Sequence, residues 1–211
     1  MEVYKPEECL CKICKHVDYT YPIIGLIGAR GSGKTTCAAY LQANYNFQEF
    51  SFADPVKKVV EIIYGFDYDT LKGDTPERRE ARVNMRDPMW NQNMIQAMQF
   101  IGTELFRNHM DQDVWIKIMK RNIDSCIKSG KRVVISDLRY PNEIEFVRSL
   151  GGKIFVIESQ SAQVSTCADN HSSETSAKDA IKDTDIVLMN DFKNVYFENI
   201  KKIMESLAIK K

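Results

Sequence analysis

Residues Gly28-Ala29-Arg30-Gly31-Ser32-Gly33-Lys34-Thr35 fit the phosphate-binding pattern G-x-x-x-x-G-K-[ST]. An apolar run precedes them at 22–27, and the helix-forming Thr36-Cys37-Ala38-Ala39-Tyr40-Leu41 follows. Strand, glycine loop and helix is the context in which the pattern has a mechanism. Glycines let the backbone curl until its N–H groups surround an anion, and the next helix adds its positive end. Lys34 can then reach β- and γ-phosphates, and the Thr35 hydroxyl can ligate Mg²⁺. The spacing predicts a site for a nucleoside triphosphate over 28–36.

Further polar groups fall where strands should end. In an open parallel sheet, ligands sit at the carboxyl ends of the strands. Asp54 follows a short apolar stretch at 50–53, and Asp137-Leu138-Arg139 follows Arg132-Val133-Val134-Ile135-Ser136. Asp137 is spaced to hold Mg²⁺ directly or through water, and Arg139 to clamp a phosphoryl oxygen. Gln99, Thr103 and Arg107 recur every four residues and share one helix face. That face is either a binding surface for a base and a phosphate or a solvated stripe. A fourth cluster, Cys9, Cys11, Cys14 and His16, has the donor types of a Cys₃His zinc site. The same residues also read as reduced thiols in an N-terminal extension, and Cys37, Cys126 and Cys167 read as free thiols.

The elements that must position these groups alternate in type. Strands are predicted at about 22–27, 50–53, 132–136, 154–157 and 186–189. Helices are predicted at about 34–43, 56–64, 93–109, 114–129, 141–150 and 194–207. Met94, Met98, Ile101 and Leu105 give the helix at 93–109 an apolar face, and Tyr196, Ile200, Ile203 and Leu207 do so for the last helix. Helices between strands imply a parallel sheet covered on both faces. The fold class is α/β: a three-layer sandwich of the P-loop NTPase type, with about five parallel strands. Residues 1–20 form an extension, and 21–211 form one domain with a helical region at about 54–115. The stretch 159–183 is rich in Ser, Thr, Asp and Ala. Such a segment is either a lid or a plain surface helix and loop.

Bulk properties exclude other classes. Lys+Arg and Asp+Glu are both 29, so no global field favours nucleic acid or an anionic membrane. The hydrophobic fraction of 44% is that of a globular chain, and no apolar run approaches a membrane span. The first eight residues lack the apolar core of a signal peptide, which predicts a cytoplasmic protein.

The ordered set of short motifs resembles the viral and bacteriophage-type deoxynucleoside monophosphate kinases, a branch of the P-loop nucleotide kinases. It comprises 28–35, Phe52-Ala53-Asp54-Pro55-Val56-Lys57, and Gln99-Phe100-Ile101-Gly102-Thr103-Glu104 with Arg107 and Trp115. It continues with Ile135-Ser136-Asp137-Leu138-Arg139-Tyr140-Pro141-Asn142-Glu143, Gly151-Gly152 and His171-Ser172-Ser173-Glu174. The resemblance implies transfer of the γ-phosphoryl of ATP, with Mg²⁺, to a deoxynucleoside monophosphate. It implies that Asp54 and Lys57 border the acceptor, and that Gln99 and Arg107 hold it, with Thr103 and Trp115 in the same region. Arg139 would lie near its phosphate and Asp137 near Mg²⁺. The segment 72–86, with Arg78, Arg79, Arg82 and Arg86, would close over the acceptor. Catalysis would then be alignment and charge neutralisation, since an ionised phosphate needs no strong base. One departure is local: where the family carries an arginine after the fourth strand, this chain has Glu158 and Ser159, and 159–177 holds no Lys or Arg. The neutralising charge would come from Lys34, Arg30, Arg139 or Arg107, with His171 when protonated.

Two other functions stay open at this point. Another small-molecule P-loop kinase, such as the phosphomevalonate kinase of animals, shares the loop and a similar acceptor motif. A nucleotide-dependent switch or binding module is a third reading; the chain contains no guanine-reading Asn-Lys-x-Asp. No direct nucleic-acid or membrane partner is expected, and a homodimer is left open.

Overall fold

The computed structural model describes residues 22–159, 180–183, 185–191 and 193–210. The cysteine cluster Cys9, Cys11, Cys14 and His16, His171 and nearly all of the expected lid lie outside the described residues.

Five strands form one parallel sheet: β1 (Ile23–Ile27), β2 (Phe47–Phe50), β3 (Arg132–Ile135), β4 (Lys153–Ser159) and β5 (Ile186–Asn190), in the order β2-β3-β1-β4-β5. The α/β expectation holds. The central strand β1 is buried along its whole length, as a strand covered on both faces must be. The chain divides into two compact units, one of 1–51 with 120–211 and one of 52–119.

In the first unit, α1 (Lys34–Tyr45) and α8 (Asn194–Ser206) bury apolar faces with the sheet. Cys37, Ala38 and Leu41 of α1 meet Tyr196, Ile200 and Met204 of α8 and Ile24, Leu26, Phe155 and Leu188 of the strands. Each large side chain so enclosed contributes about 1.5–3 kcal/mol of hydrophobic stabilisation. α7 (Pro141–Ser149) packs on β1 and β4. Its Arg148 donates to the Ala180 carbonyl at 3.0 Å and pairs with Asp185, fastening the chain before β5.

The second unit is helical: α2 (Ala53–Tyr64), α3 (Tyr68–Lys72), α4 (Pro76–Asn84), α5 (Met94–Gln99) and a π-helix (Phe100–Met110). α6 (Val114–Lys128) begins here and ends in the first unit.

Several boundaries differ from the sequence reading, and the short helix α3 was not expected. Strand β2 covers Phe47–Phe50 rather than 50–53, so Asp54 stands in the first turn of α2 and ends no strand. Pro55 misled: it suits a helix's first turn, whose N–H groups lack intrahelical acceptors. The segment 72–86 contains α4, announced by Thr75 as N-cap and Pro76 at its start. The helix expected at 93–109 changes type at Phe100. The Asn93–Gln96 capping box starts it as an α-helix, and it then widens to i→i+5 bonding, ending with the Asp111 N–H on the Phe106 carbonyl at 2.9 Å.

One buried ion pair stands in α6. The Lys120 ammonium lies 3.1 and 3.2 Å from the Asp124 carboxylate oxygens, with both side chains at most 4% exposed. Removing one partner leaves a buried charge, so Asp124→Leu should lower urea-unfolding stability by about 3–5 kcal/mol. Lys120→Met with Asp124→Leu should recover most of that loss. Equal losses in the single and double variants would show that the pair is not the source.

Candidate donor-phosphate site and acceptor-binding residues

The loop between β1 and α1 is built by backbone. Gly33 caps α1 in the left-handed conformation at φ 103°, with no side-chain cap. A Cβ on Gly33 would run into the Asn190 amide, and one on Gly28 would strike the Ser32 hydroxyl and the Ile157 carbonyl. Both positions therefore demand glycine for space as well as torsion. The Ser32 N–H donates to the Ala29 carbonyl at 3.1 Å, closing the turn. The Lys34 ammonium folds over it, donating to the Gly28 carbonyl at 2.6 Å and the Ala29 carbonyl at 2.8 Å. Thr35 and Thr36 are exposed in the first turn of α1, and Arg30 is exposed at the loop tip. The first N–H groups of a helix have no partner within it, so 33–36 present donors and the positive end of α1 together.

Two buried groups hold this loop from its protein side. The Asn190 amide at the end of β5 donates to the Ser32 carbonyl at 2.8 Å. The Tyr196 hydroxyl on α8 donates to the Gly33 carbonyl at 3.2 Å and shares a hydrogen bond with the Cys37 thiol. Burial pushes the Cys37 thiol up to about 12, opposed by its hydrogen bond with Tyr196, so it stays protonated. Burial, then Cys37, raises the Tyr196 phenol as well.

Asp137 is two residues beyond Ile135, which pairs in register with Gly25 of β1. The carboxyl ends of β1 and β3 are therefore neighbours, and Asp137 emerges beside the loop's origin. The Ser51 hydroxyl, just past β2, donates to Asp137 Oδ2 at 2.7 Å. The Leu138 N–H donates to the Leu26 carbonyl at 3.3 Å. The buried Glu143 carboxylate accepts from the Arg139 N–H at 3.0 Å and the Tyr140 N–H at 3.2 Å. Arg139 thus has an anchored backbone and an exposed side chain.

The expected acceptor residues all stand in the second unit except Arg139. Asp54 pairs with Lys57 at 3.0 Å on α2. Tyr68 hydrogen-bonds the same carboxylate, and burial first, then the Asp54 charge, raises its phenol above the usual range. Gln99 ends α5, and Thr103 and Arg107 follow on the π-helix; all three are half-buried. Trp115 is 3% exposed, donates its indole N–H to the Gly102 carbonyl at 2.8 Å and packs against Phe106 in a tilted ring contact with centroids 5.3 Å apart. Its observed contacts brace the π-helix that carries Thr103 and Arg107. Arg78 pairs with Asp74 at 2.8 Å, Arg79 bonds the Asp74 carbonyl at 3.2 Å, and Arg86 bonds the Asn91 carbonyl at 2.9 Å.

The sequence reading singled out none of Ser51, Glu143, Asn190 and Tyr68 as site residues, and placed Tyr196 only in the core. Two signals were present: a tyrosine at a core-facing position needs a partner for its hydroxyl, and so does an asparagine ending a buried strand. Among the described residues, no group of three or more His, Cys, Asp or Glu could hold a metal ion. No helix among them is long and apolar enough to cross a membrane.

Comparison with known proteins follows the same lines. The model of the family "Deoxynucleotide monophosphate kinase" matches residues 79–202. A protein of Acanthamoeba polyphaga mimivirus, provisionally named a deoxynucleotide monophosphate kinase, is 34% identical over 185 residues, covering 80% of this chain and 88% of the relative. The deoxynucleotide monophosphate kinase of Enterobacteria phage T4 is 22% identical over 229 residues, covering 80% of this chain and 92% of the relative. Among solved structures, dephospho-CoA kinase from Campylobacter jejuni is similar at 14% identity and a TM-score of 0.49, covering 88% of this chain and 96% of that one. The phosphate loop and the parallel sheet that carries it, taken with the length of chain these viral relatives share, lead to one conclusion: the chain is a kinase and belongs to the deoxynucleotide monophosphate kinase family.

Proposed function

We propose that the chain transfers the γ-phosphoryl group of ATP to a deoxynucleoside monophosphate, giving the diphosphate used as a DNA precursor. The observation that carries this reading is the loop at 28–35, with Lys34 folded on it and its amides gathered at the start of α1, in a chain of this family. Backbone N–H groups of the loop would hold the β- and γ-phosphates, and Lys34 would exchange its bonds to the loop carbonyls for phosphate oxygens.

Thr35 and Asp137 suit Mg²⁺. Both offer hard oxygen donors at the carboxyl edge of the sheet, and Ser51 holds the Asp137 carboxylate in a fixed orientation. Two protein donors accord with an ion that keeps waters and phosphate oxygens in its remaining positions. When bound, Mg²⁺ supplies charge neutralisation across the phosphates. Lys57, Arg78, Gln99, Thr103 and Arg107 would bind the acceptor, with Asp54 orienting Lys57, and Trp115 serving them through the π-helix. Arg139 would neutralise charge on the transferring group. The same reading puts the protein in the cytoplasm, the host's where the chain is viral. Zinc at Cys9, Cys11, Cys14 and His16 is a separate proposal that metal analysis of the chelator-free protein decides.

Purified protein with ATP and Mg²⁺ should release ADP when given deoxynucleoside monophosphates from a panel that includes ribonucleotides and phosphomevalonate. Hydrolysis with no phosphorylated acceptor in any lane would sink the kinase assignment. Lys34→Ala should cost about a hundredfold or more in kcat/KM for ATP. Arg107→Ala should raise the acceptor KM by about tenfold or more, with the ATP KM changed far less. Equal effects on both substrates would remove Arg107 from the acceptor site.

A further inference from the structure

We propose that Asn190 and Tyr196, from the last strand and the last helix, are positioning residues that set the direction of the phosphate-binding amides. The inference rests on the reading of 28–35 as the ATP loop. A trans peptide is planar, so its C=O and N–H point in opposite directions, and the described chain has no cis peptide. The Ser32 carbonyl shares a peptide plane with the Gly33 N–H. The Gly33 carbonyl shares one with the Lys34 N–H. Asn190 grips the first carbonyl and Tyr196 the second. Holding these oxygens toward the core turns the two N–H groups away from it, into the loop.

The need is specific to this loop. Glycine on either side of a peptide lets it rotate at little cost, and Ser32 has glycine before and after it. The helix partly restrains the Gly33 carbonyl, which also accepts from the Cys37 N–H at 2.9 Å. For the Ser32 carbonyl, outside the helix, the Asn190 amide supplies the restraint. Asn190 is 4% exposed and Tyr196 2%; the Asn190 bond is buried, so water competes little for it, and the Tyr196 bond is part-buried. Gly33 completes the fit, because the Asn190 amide occupies the space a Cβ would take.

The test separates direction-setting from general stability. Asn190→Leu keeps most of the volume and removes the donor; Tyr196→Phe keeps the ring and removes the hydroxyl. Ile200→Val, fully buried on the same helix, loosens packing without touching the loop. ADP affinity is measured by calorimetry, with melting temperature and both KM values in parallel. Asn190→Leu should weaken ADP by about tenfold and Tyr196→Phe by about threefold, each with the acceptor KM within about twofold. Ile200→Val should lower the melting temperature and leave ADP affinity unchanged. Unweakened ADP binding in both Asn190→Leu and Tyr196→Phe overturns the proposal. So does an equal weakening in Ile200→Val at equal loss of melting temperature. Lys34→Ala marks the other failure: if it binds ADP as tightly as the unaltered chain, the loop reading itself is wrong, and the inference falls with it.

Discussion

A phosphate loop works only if several backbone N–H groups converge on one point, and glycine-rich backbone does not converge by itself. The rest of the first unit answers to this constraint. β1 delivers the loop from the middle of a sheet buried on both faces, so its origin cannot drift. α1 leaves it with its dipole aimed back along the loop. Gly28 and Gly33 permit the close approach of Ile157 and Asn190, and the sheet fills the space they leave. The core formed by α1, α8 and the strands encloses the Tyr196 ring, whose hydroxyl reaches the Gly33 carbonyl, while the Asn190 amide at the end of β5 reaches the Ser32 carbonyl.

Charge is handled by the same economy of placement. Asp137 is held by Ser51 and by strand neighbours on either side of β3, and Arg139 is fixed by its backbone on Glu143. The Asp137 side chain is half-buried and that of Arg139 exposed, while the backbone at Arg139 is pinned by the buried Glu143. On the proposed reading of the site this is preorganisation, with the ordering cost met on folding.

The second unit relies on a different device. α5 begins as an ordinary capped helix and widens to a π-helix at Phe100. Wider winding alters which side chains share a face, so a stripe read at α-helical spacing does not transfer unchanged. Gly102 lets this helix approach Val56, and the Trp115 indole bonds the Gly102 carbonyl. Gln99 thus ends an α-helix, and Thr103 and Arg107 stand on the irregular element that follows it.

What the sequence determined is what local chemistry encodes. The loop at 28–36 was legible because its glycines, lysine and threonine are contiguous and flanked by a strand and a helix. The placement of Asp137 and Arg139 just past a strand was legible because an apolar run precedes them, and the five parallel strands because helical periodicity alternates with short apolar runs. The shift of β2, the helix at Pro76–Asn84 and the change of winding at Phe100 were decided by caps and packing, which periodicity does not register. Tertiary structure alone supplied the contacts of Ser51 with Asp137, Asn190 with Ser32 and Tyr196 with Gly33, made across 86, 158 and 163 residues of chain. A hydrogen bond closed over such distances leaves no local pattern, because what selects each residue is the geometry at its destination.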